Sequence, residues 1–520
     1  VSASPPSKIA LPKLQIGPLD EPATARLAAD MARIAVPGDC LALSGDLGAG
    51  KTSFARAFIR ALAGADGGEI EVPSPTFTLV QNYPTNPTVA HFDLYRISDP
   101  GEVTELGLDD ALEDGIALIE WPERAGGTLA TETIWLAFSE SMTAKGADAR
   151  TITIEAPDAA LARIRRTLAI RALLDSAGHG NADRAPLTGD ASTRRYETVT
   201  DGAWRAIVMD APRMPDGPPV RDGKPYSQIA HLAEDIGPFV AVARMLTGAG
   251  FAAPEIMAVD YEAGLILLED LGEDGVLDAA RRPIPTRYEA SVDCLAAMHA
   301  IDWPRETALE DGTRHRVPTF DIGAFLIEVD LLLDWYVPRV TGAPASADDR
   351  QSWHTIWNQL FATIDAGPKT LVLRDFHSPN IVWRGNRTGH DRIGLIDFQD
   401  ALWTHPAYDV MSLVRDARVT VEPNLQSRLV DAYCFARNEQ LEDFDQTGFR
   451  ESFAILAAQR AAKLLGIFVR LDERDGKPGY IAHLPRIQTY MRQSLGHPAL
   501  ADLDAWLSAR GLLDVKVEPR

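Results

Sequence analysis

Apolar positions recur every three to four residues over 23–34 and stop at Pro37-Gly38, which predicts a helix with a sharp end. Short apolar runs follow at 40–44, 89–92, 116–120, 133–138 and 151–155, with a helical stretch after the first. Runs of that length bounded by turn residues read as strands. Together they predict a small α/β domain closing near residue 156, preceded by about twenty Pro- and Ser-rich residues expected to form a loose arm.

The pattern then changes. Residues 158–176 carry Leu, Ile and Ala on one helical face, with Asp158 expected as the N-cap, and read as the first helix of a second unit. Strand-like pieces follow at 195–200, 204–210, 256–260 and 265–269, interrupted by a Pro/Gly/Asp-rich loop at 211–225. From about residue 284 the period becomes helical, as at 288–300, 323–336 and 453–472. The expected organisation is a domain over 18–157, a linker and helix start over 158–165, a strand-rich lobe over 166–270 and a helix-rich lobe over 271–510.

Charge narrows the function. The 520 residues carry a net −23, and residues 1–158 are the more acidic part, with 11 basic against 23 acidic residues. A surface that negative repels phosphate backbones, so no direct nucleic-acid contact is expected. Cys40, Cys294 and Cys434 have neither disulfide-framework nor zinc spacing. No apolar stretch approaches the ~18 residues of a membrane span, and the start lacks the apolar run of a signal peptide. The expected location is the cytoplasm.

Gly45, Asp46, Leu47, Gly48, Ala49, Gly50, Lys51 and Thr52 fit G-x-x-x-x-G-K-[ST], between an apolar strand and an amphipathic helix. Such a loop wraps backbone N–H groups around phosphates, with the lysine on the β/γ-phosphates and the hydroxyl on Mg²⁺. Asp93 in HFDLYR and Glu120 in EWPE end apolar strands and offer the oxygen ligands Mg²⁺ takes, beside a polar SPTFT segment at 74–78. Taken alone, either acid would be a solvated strand terminus. As an ordered set, GDLGAGKT, SPTFTLV, HFDLYR and EWPE resemble the TsaE family, the ATPase subunit of the bacterial machinery that makes threonylcarbamoyladenosine in tRNA. The resemblance covers roughly 18–157. It implies an α/β P-loop NTPase domain that binds ATP and Mg²⁺ through Lys51 and Thr52. Asp93 and Glu120 would belong to the metal and hydrolysis site, Trp121 would flank it, Thr24 would lie near the nucleotide, and TsaB and TsaD would be the partners. The rival is a stand-alone P-loop kinase.

A second constellation is Arg374-Asp375-Phe376-His377-Ser378-Pro379-Asn380, with Ile396-Asp397-Phe398 ending an apolar strand 17 residues beyond Asn380. Phosphoryl transfer to a hydroxyl needs a base or positioner, for which Asp375 fits, and metal ligands, for which Asn380 and Asp397 fit. The region 165–505 resembles the aminoglycoside phosphotransferase (choline kinase-like) superfamily, a two-lobed protein-kinase-like α+β fold. Its segments VMDAP at 208–212, EVDLLLDWY at 328–336, RDFHSPN and IDFQDA are similar to the AmgK anomeric kinases of N-acetylmuramate and N-acetylglucosamine. That similarity implies phosphorylation of an anomeric hydroxyl in cell-wall sugar recycling, with Asp375 as base.

Two departures qualify the match. Leu373 stands where many relatives have His, and Met209 stands where the N-lobe lysine is expected. Arg194, Arg195 or Arg205 could hold the phosphates instead, with Glu234 or Asp235 as the acid orienting such a cation. A nucleotide-covering loop is expected at 189–196 and a hinge at 268–272. Glu328, Asp334 and Trp335 are sugar-contact candidates, against a reading as core and solvated acids. His405 and Asp409 read as structural, the Asp bracing the catalytic loop. The alternatives are a choline, ethanolamine or aminoglycoside kinase, or a pseudokinase scaffold for the ATPase.

Overall fold

A computed structural model describes residues 11–64, 68, 70–142, 148–187 and 194–519. The chain forms two compact units, 1–181 and 182–520.

The first unit is built on a seven-stranded sheet. In chain order it comprises β1 (Lys13–Leu19), α1 (Glu21–Ile34), β2 (Cys40–Ser44), α2 (Lys51–Ala63), β3 (Val80–Tyr83), β4 (Thr88–Asp93), α3 (Gly101–Glu105), α4 (Leu108–Asp114), β5 (Gly115–Glu120), β6 (Ile134–Met142), β7 (Asp148–Glu155) and α5 (Asp158–Ser176). The strand order is β1-β7-β6-β2-β5-β4-β3, with β6, β2, β5 and β4 parallel. Every residue of β5 is buried because both faces of the sheet are covered. Ile116 and Leu118 face the core formed with α1, α2 and α5, while Ala117 and Ile119 face the opposite core with Phe92 and Val103. The period of two along one strand thus feeds two cores.

Two expectations are corrected here. Residues 13–19 are not a loose arm: they add an edge strand antiparallel to β7. The helix read as opening the second unit belongs to the first. Leu161 and Ile164 of α5 enter its core, Arg163 donates to Asp39 Oδ1 at 2.7 Å, and Arg171 grips Asp30 through two 2.8 Å hydrogen bonds. Asp158 is not its N-cap; Pro157 holds that position without a side-chain cap.

The second unit begins with a five-stranded antiparallel sheet, β13-β14-β10-β9-β8. Its elements are β8 (Asp183–Leu187), β9 (Arg195–Asp201), β10 (Trp204–Asp210), a small hairpin of β11 (Pro219–Arg221) and β12 (Lys224–Pro225), α6 (Tyr226–Ile229), α7 (Gly237–Gly248), β13 (Ile256–Asp260) and β14 (Leu265–Glu269). The hairpin lies inside the segment expected to be all loop. The helical lobe holds α8 (Pro285–Met298), the hairpin β15 (Glu306–Ala308) and β16 (Arg314–Arg316), α9 (Ile322–Leu331), α10 (Val337–Thr341) and α11 (Ala347–Ala366). Four three-residue strands follow, β17 (Thr370–Val372), β18 (Ile381–Trp383), β19 (Ile393–Leu395) and β20 (Leu402–Thr404), then α12 (Ala407–Val414), α13 (Pro423–Gln440), α14 (Gln446–Glu473), α15 (Leu484–Leu495) and α16 (Ala501–Ser508).

The helix α14 is the spine of this lobe. Among the described residues it is the one helix long and apolar enough to cross a membrane, yet most of it is buried inside the protein. A turn of π-helix at Leu332–Tyr336 interrupts the run from α9 to α10. Gly466 of α14 packs against it, and a Cβ there would sit 2.2 Å from the Leu331 carbonyl carbon. Only glycine permits that approach.

Candidate active sites

In the first unit, parallel pairing brings three strand ends to one sheet edge. Leu43 pairs with Glu120 and Glu120 with Asp93, so the loop after β2 lies beside both carboxylates. This is the carboxyl edge where open α/β sheets bind ligands. The loop is pressed onto the sheet: Gly45 has φ +141°, and a Cβ there would lie 2.6 Å from the Phe138 carbonyl oxygen. Leu47, Gly48, Gly50, Lys51, Thr52, Ser74, Thr76, Asp93, Glu120 and Trp121 line a 340 Å³ cavity.

Within this cavity Lys51 is 4 % exposed. Its Nζ donates to Gly45 O at 2.7 Å and Asp46 O at 2.9 Å and lies 3.8 Å from the Trp121 ring centroid. Burial lowers its pKa, against the opposing pull of Glu120, Glu123 and Asp93. Thr52 Oγ1 donates to Glu120 Oε2 at 2.8 Å, whose other oxygen meets His91 Nε2 at 3.0 Å. Asp93 Oδ2 accepts from Ser74 at 2.6 Å and Thr76 at 2.7 Å. Asp46 and Ala49 lie in the same loop, and Arg150 Nε donates to Ala49 O at 2.9 Å. Thr24 does not line this cavity: it is buried in α1, its hydroxyl donating to Asp20 O at 2.9 Å. His91 is the member sequence reasoning missed, although it lies two residues before Asp93 on the same strand.

In the second unit two cavities meet at the catalytic-loop motif. One, of 560 Å³, runs between the lobes and is lined by Tyr196, Arg205, Ile207, Leu268 to Glu273, Asn380, Ile396, Asp397 and Arg418. Apolar walls stand beside residues 268–272, the segment expected as the hinge, and would suit a flat base such as adenine. The other, of 240 Å³, is lined by Asp375, His377, Asp397, Arg418, Arg460, Lys463, Phe468 and Tyr480 among others. The loop between them is braced as expected: Asp409 accepts from Leu373 N at 2.8 Å and Arg374 N at 2.9 Å. Leu373, where a His was expected, is packed in the core.

Asp375 Oδ1 accepts from Arg460 at 3.0 Å, with His377 Nε2 at 3.9 Å. Burial pushes its pKa up, but Arg460, then His377 and Lys463, outweigh it and hold the carboxyl well below the usual range. His377 is pushed down to about 4 by burial, against Asp416 and Asp375. Asn380 Nδ2 donates to Asp375 O at 2.9 Å and Asp397 Oδ2 at 3.2 Å. Asp397 is pushed up by burial and by the charge of Asp375. Two carboxylates repelling each other beside a carboxamide form a hard oxygen set that fits a divalent cation shared with phosphates. The P-loop hydroxyl with Glu120 and Asp93 offers the same chemistry.

The three arginine candidates separate. Arg194 reaches Asp397 Oδ1 at 3.0 Å, Arg205 pairs with Glu273 at 2.6 Å and with Asp270 at the hinge end, and Arg195 is exposed on β9. Residues 189–193 of the expected nucleotide loop lie outside the described residues. Glu234 and Asp235 do not orient any of these: Glu234 accepts from Ser227 and Asp235 from Gly237 N.

None of the three sugar candidates lines either cavity. Glu328 is 0 % exposed and engaged by Arg374, Gln459 and Lys463. Asp334 pairs with Arg350 at 2.6 Å outside the cleft, and Trp335 packs on the core. Beside Asp375, His377 and Asp397, the charged residues at the smaller cavity come from α14 and the loop after α12, and of these Arg418, Arg460 and Lys463 were missed. The signal of the last two was present: with Gln459, Arg460 and Lys463 form one polar stripe within the otherwise apolar stretch 453–469.

The family profile of the threonylcarbamoyl adenosine biosynthesis protein TsaE matches residues 19–151, and that of the phosphotransferase enzyme family matches 183–445. The chain belongs to both families. Its TsaE domain is 46% identical over 105 residues to the tRNA threonylcarbamoyladenosine biosynthesis protein TsaE of Rickettsia felis, a match covering 20% of this chain and 60% of that protein. Its kinase domain is 37% identical over 353 residues to the N-acetylmuramate/N-acetylglucosamine kinase of Caulobacter vibrioides, covering 66% of this chain and 95% of that protein. The Pseudomonas aeruginosa protein of the same name is 31% identical over 334 residues, covering 63% and 88%. The chain is a bifunctional enzyme, an ATPase domain joined to a phosphotransferase domain, both of families that use ATP.

Proposed function

We propose that the kinase domain transfers the γ-phosphoryl group of ATP to the anomeric hydroxyl of N-acetylmuramate or N-acetylglucosamine. What supports this most is the position of Asp375, Asn380 and Asp397 where an apolar cleft and a smaller polar pocket meet. A sugar in the pocket would present its hydroxyl to Asp375. That carboxylate is ionised at neutral pH because Arg460 holds its pKa down, so it can orient the hydroxyl and take its proton. Asn380 and Asp397 would hold Mg²⁺, which supplies charge neutralisation on the phosphates. Arg194, beside Asp397, is the candidate phosphate cation of the N-lobe in place of lysine.

The TsaE domain is proposed to hydrolyse ATP for tRNA threonylcarbamoyladenosine synthesis through TsaB and TsaD partners, in the cytoplasm. Lys51 and the loop N–H groups would bind the phosphates, Thr52 and Asp93 would hold Mg²⁺, and Glu120, tied to Thr52 and His91, would orient water. Its net acidity fits action through partners rather than on RNA directly.

The kinase reading is tested by incubating the full chain with MgATP and a panel of N-acetylmuramate, N-acetylglucosamine, choline and kanamycin. A phosphorus resonance of an anomeric sugar phosphate is expected. Phosphorylation of choline or the antibiotic alone would refute it. The ATPase reading predicts turnover stimulated by TsaB and TsaD; indifference to them would refute it.

A further inference from the structure

Asp397 and Arg418 are the two residues that line both cavities of the kinase domain. Asp397 is accounted for by the metal set. Arg418 is not, and it lies on the wall the two cavities share.

Other cations stand nearby. Arg194 Nη1 donates to Asp397 Oδ1 at 3.0 Å and is the N-lobe candidate for the bound phosphates of ATP, though it does not line the smaller, acceptor-side cavity. The N-lobe strand β10 presents a buried Met209. Arg205 is engaged by Asp270 and Glu273 at the far, hinge end of the cleft. Arg460 is bound to Asp375 Oδ1, and Lys463 Nζ to Glu328 Oε1. Arg418 is positioned by the catalytic loop itself. Its backbone N–H donates to Asp416 Oδ1 at 2.8 Å, and the other oxygen of that buried carboxylate accepts from Ser378 N at 2.9 Å and Ser378 Oγ at 2.6 Å. Its Nη1 lies 3.1 Å from His377 Nε2, the ring that approaches Asp375 at 3.9 Å. One carboxylate therefore fixes Arg418 and the Asp375 loop in a common frame.

We propose that Arg418 is a catalytic residue whose guanidinium binds the phosphoryl group in flight between ATP and the acceptor hydroxyl. The inference rests on the phosphotransferase reading of this site. In the step, the acceptor oxygen forms a bond to the γ-phosphorus as the bond to the β,γ-bridging oxygen breaks. The hydroxyl proton goes to the Asp375 carboxylate, and ADP leaves with the bridging electron pair. Charge spreads over the three equatorial oxygens of the transferring group, and a donor fork held on that shared wall binds them more tightly in flight than at either end.

The test compares wild type, Arg418→Met and Arg418→Lys as full chains on N-acetylmuramate and N-acetylglucosamine, with melting temperature and ADP affinity measured for each. Arg418→Met is expected to lower kcat on both sugars by about 10²- to 10³-fold, the range typical of losing one transition-state donor. ADP affinity, sugar KM and melting temperature should stay within about threefold or a few degrees, and Arg418→Lys should recover part of kcat. Retained kcat overturns the proposal. So does a loss confined to N-acetylmuramate and seen in KM, which would make Arg418 a reader of that sugar's carboxylate. A wild-type chain that phosphorylates neither sugar overturns the substrate reading instead, an outcome visible before any variant is made.

Discussion

The charge on Asp375 is set by its neighbours rather than by its own chemistry. Burial would raise its pKa, and Arg460 contributes most to reversing that. A base with a depressed pKa is ionised at every pH above that value, so the acid limb of kcat/KM for sugar phosphorylation should fall below about pH 4. Arg460→Gln removes the strongest lowering influence and should move that limb upward. A limb that stays put in the variant would refute the assignment. In the other domain Gly45 carries a comparable burden by steric means. Gly45→Ala forces a Cβ to 2.6 Å from the Phe138 carbonyl oxygen in a left-handed conformation. It should abolish nucleotide binding by the TsaE domain, read as loss of ATP turnover. The glycine was legible as a motif position; the carbonyl that makes it obligatory was not, because β6 is 89 residues away in sequence and adjacent only in the sheet.

Strands and loops that carry motifs were readable, since β4 and β5 end in Asp93 and Glu120 and the glycine-rich loop follows β2, which pairs with β5 in parallel as β4 does. Helix membership was harder. The apolar face of α5 reads the same whichever unit it packs on; its entry into the first core, with Asp30 and Asp39 meeting Arg171 and Arg163, shows that it closes the first. Glu328 failed as a sugar ligand for a related reason: a carboxylate near an aromatic in sequence says nothing of what α14 places over it. There Gln459, Lys463 and Arg374 convert it into a buried ion cluster that joins α9, α14 and the catalytic loop. Burial raises the pKa of Glu328, but Lys463 and Arg374 hold it down to about 2. A depressed carboxylate contributes stability that is complete above the unfolded value near 4.5 and is lost as pH falls toward about 2. Glu328→Gln leaves two buried cations without their partner and should cost about 3–5 kcal/mol in urea unfolding. It should also remove this component of acid destabilisation. A variant as stable as wild type would contradict the cluster's role.

At the scale of the whole molecule, two candidate phosphate sites occupy two compact units with different folds. The TsaE domain carries a buried Lys51 in its loop, whereas in the kinase domain Arg194 and Arg418 stand at the Asp397 cavity. The central claim is that sugar phosphorylation belongs to the Asp375 site and not to the P-loop. It is tested by following anomeric sugar phosphate formation from N-acetylmuramate and MgATP with full-length Lys51→Ala and Asp375→Asn. The account predicts product at the wild-type rate from Lys51→Ala and a loss of at least about 10²-fold from Asp375→Asn. Product from Asp375→Asn at the wild-type rate, or its loss from Lys51→Ala, would contradict it.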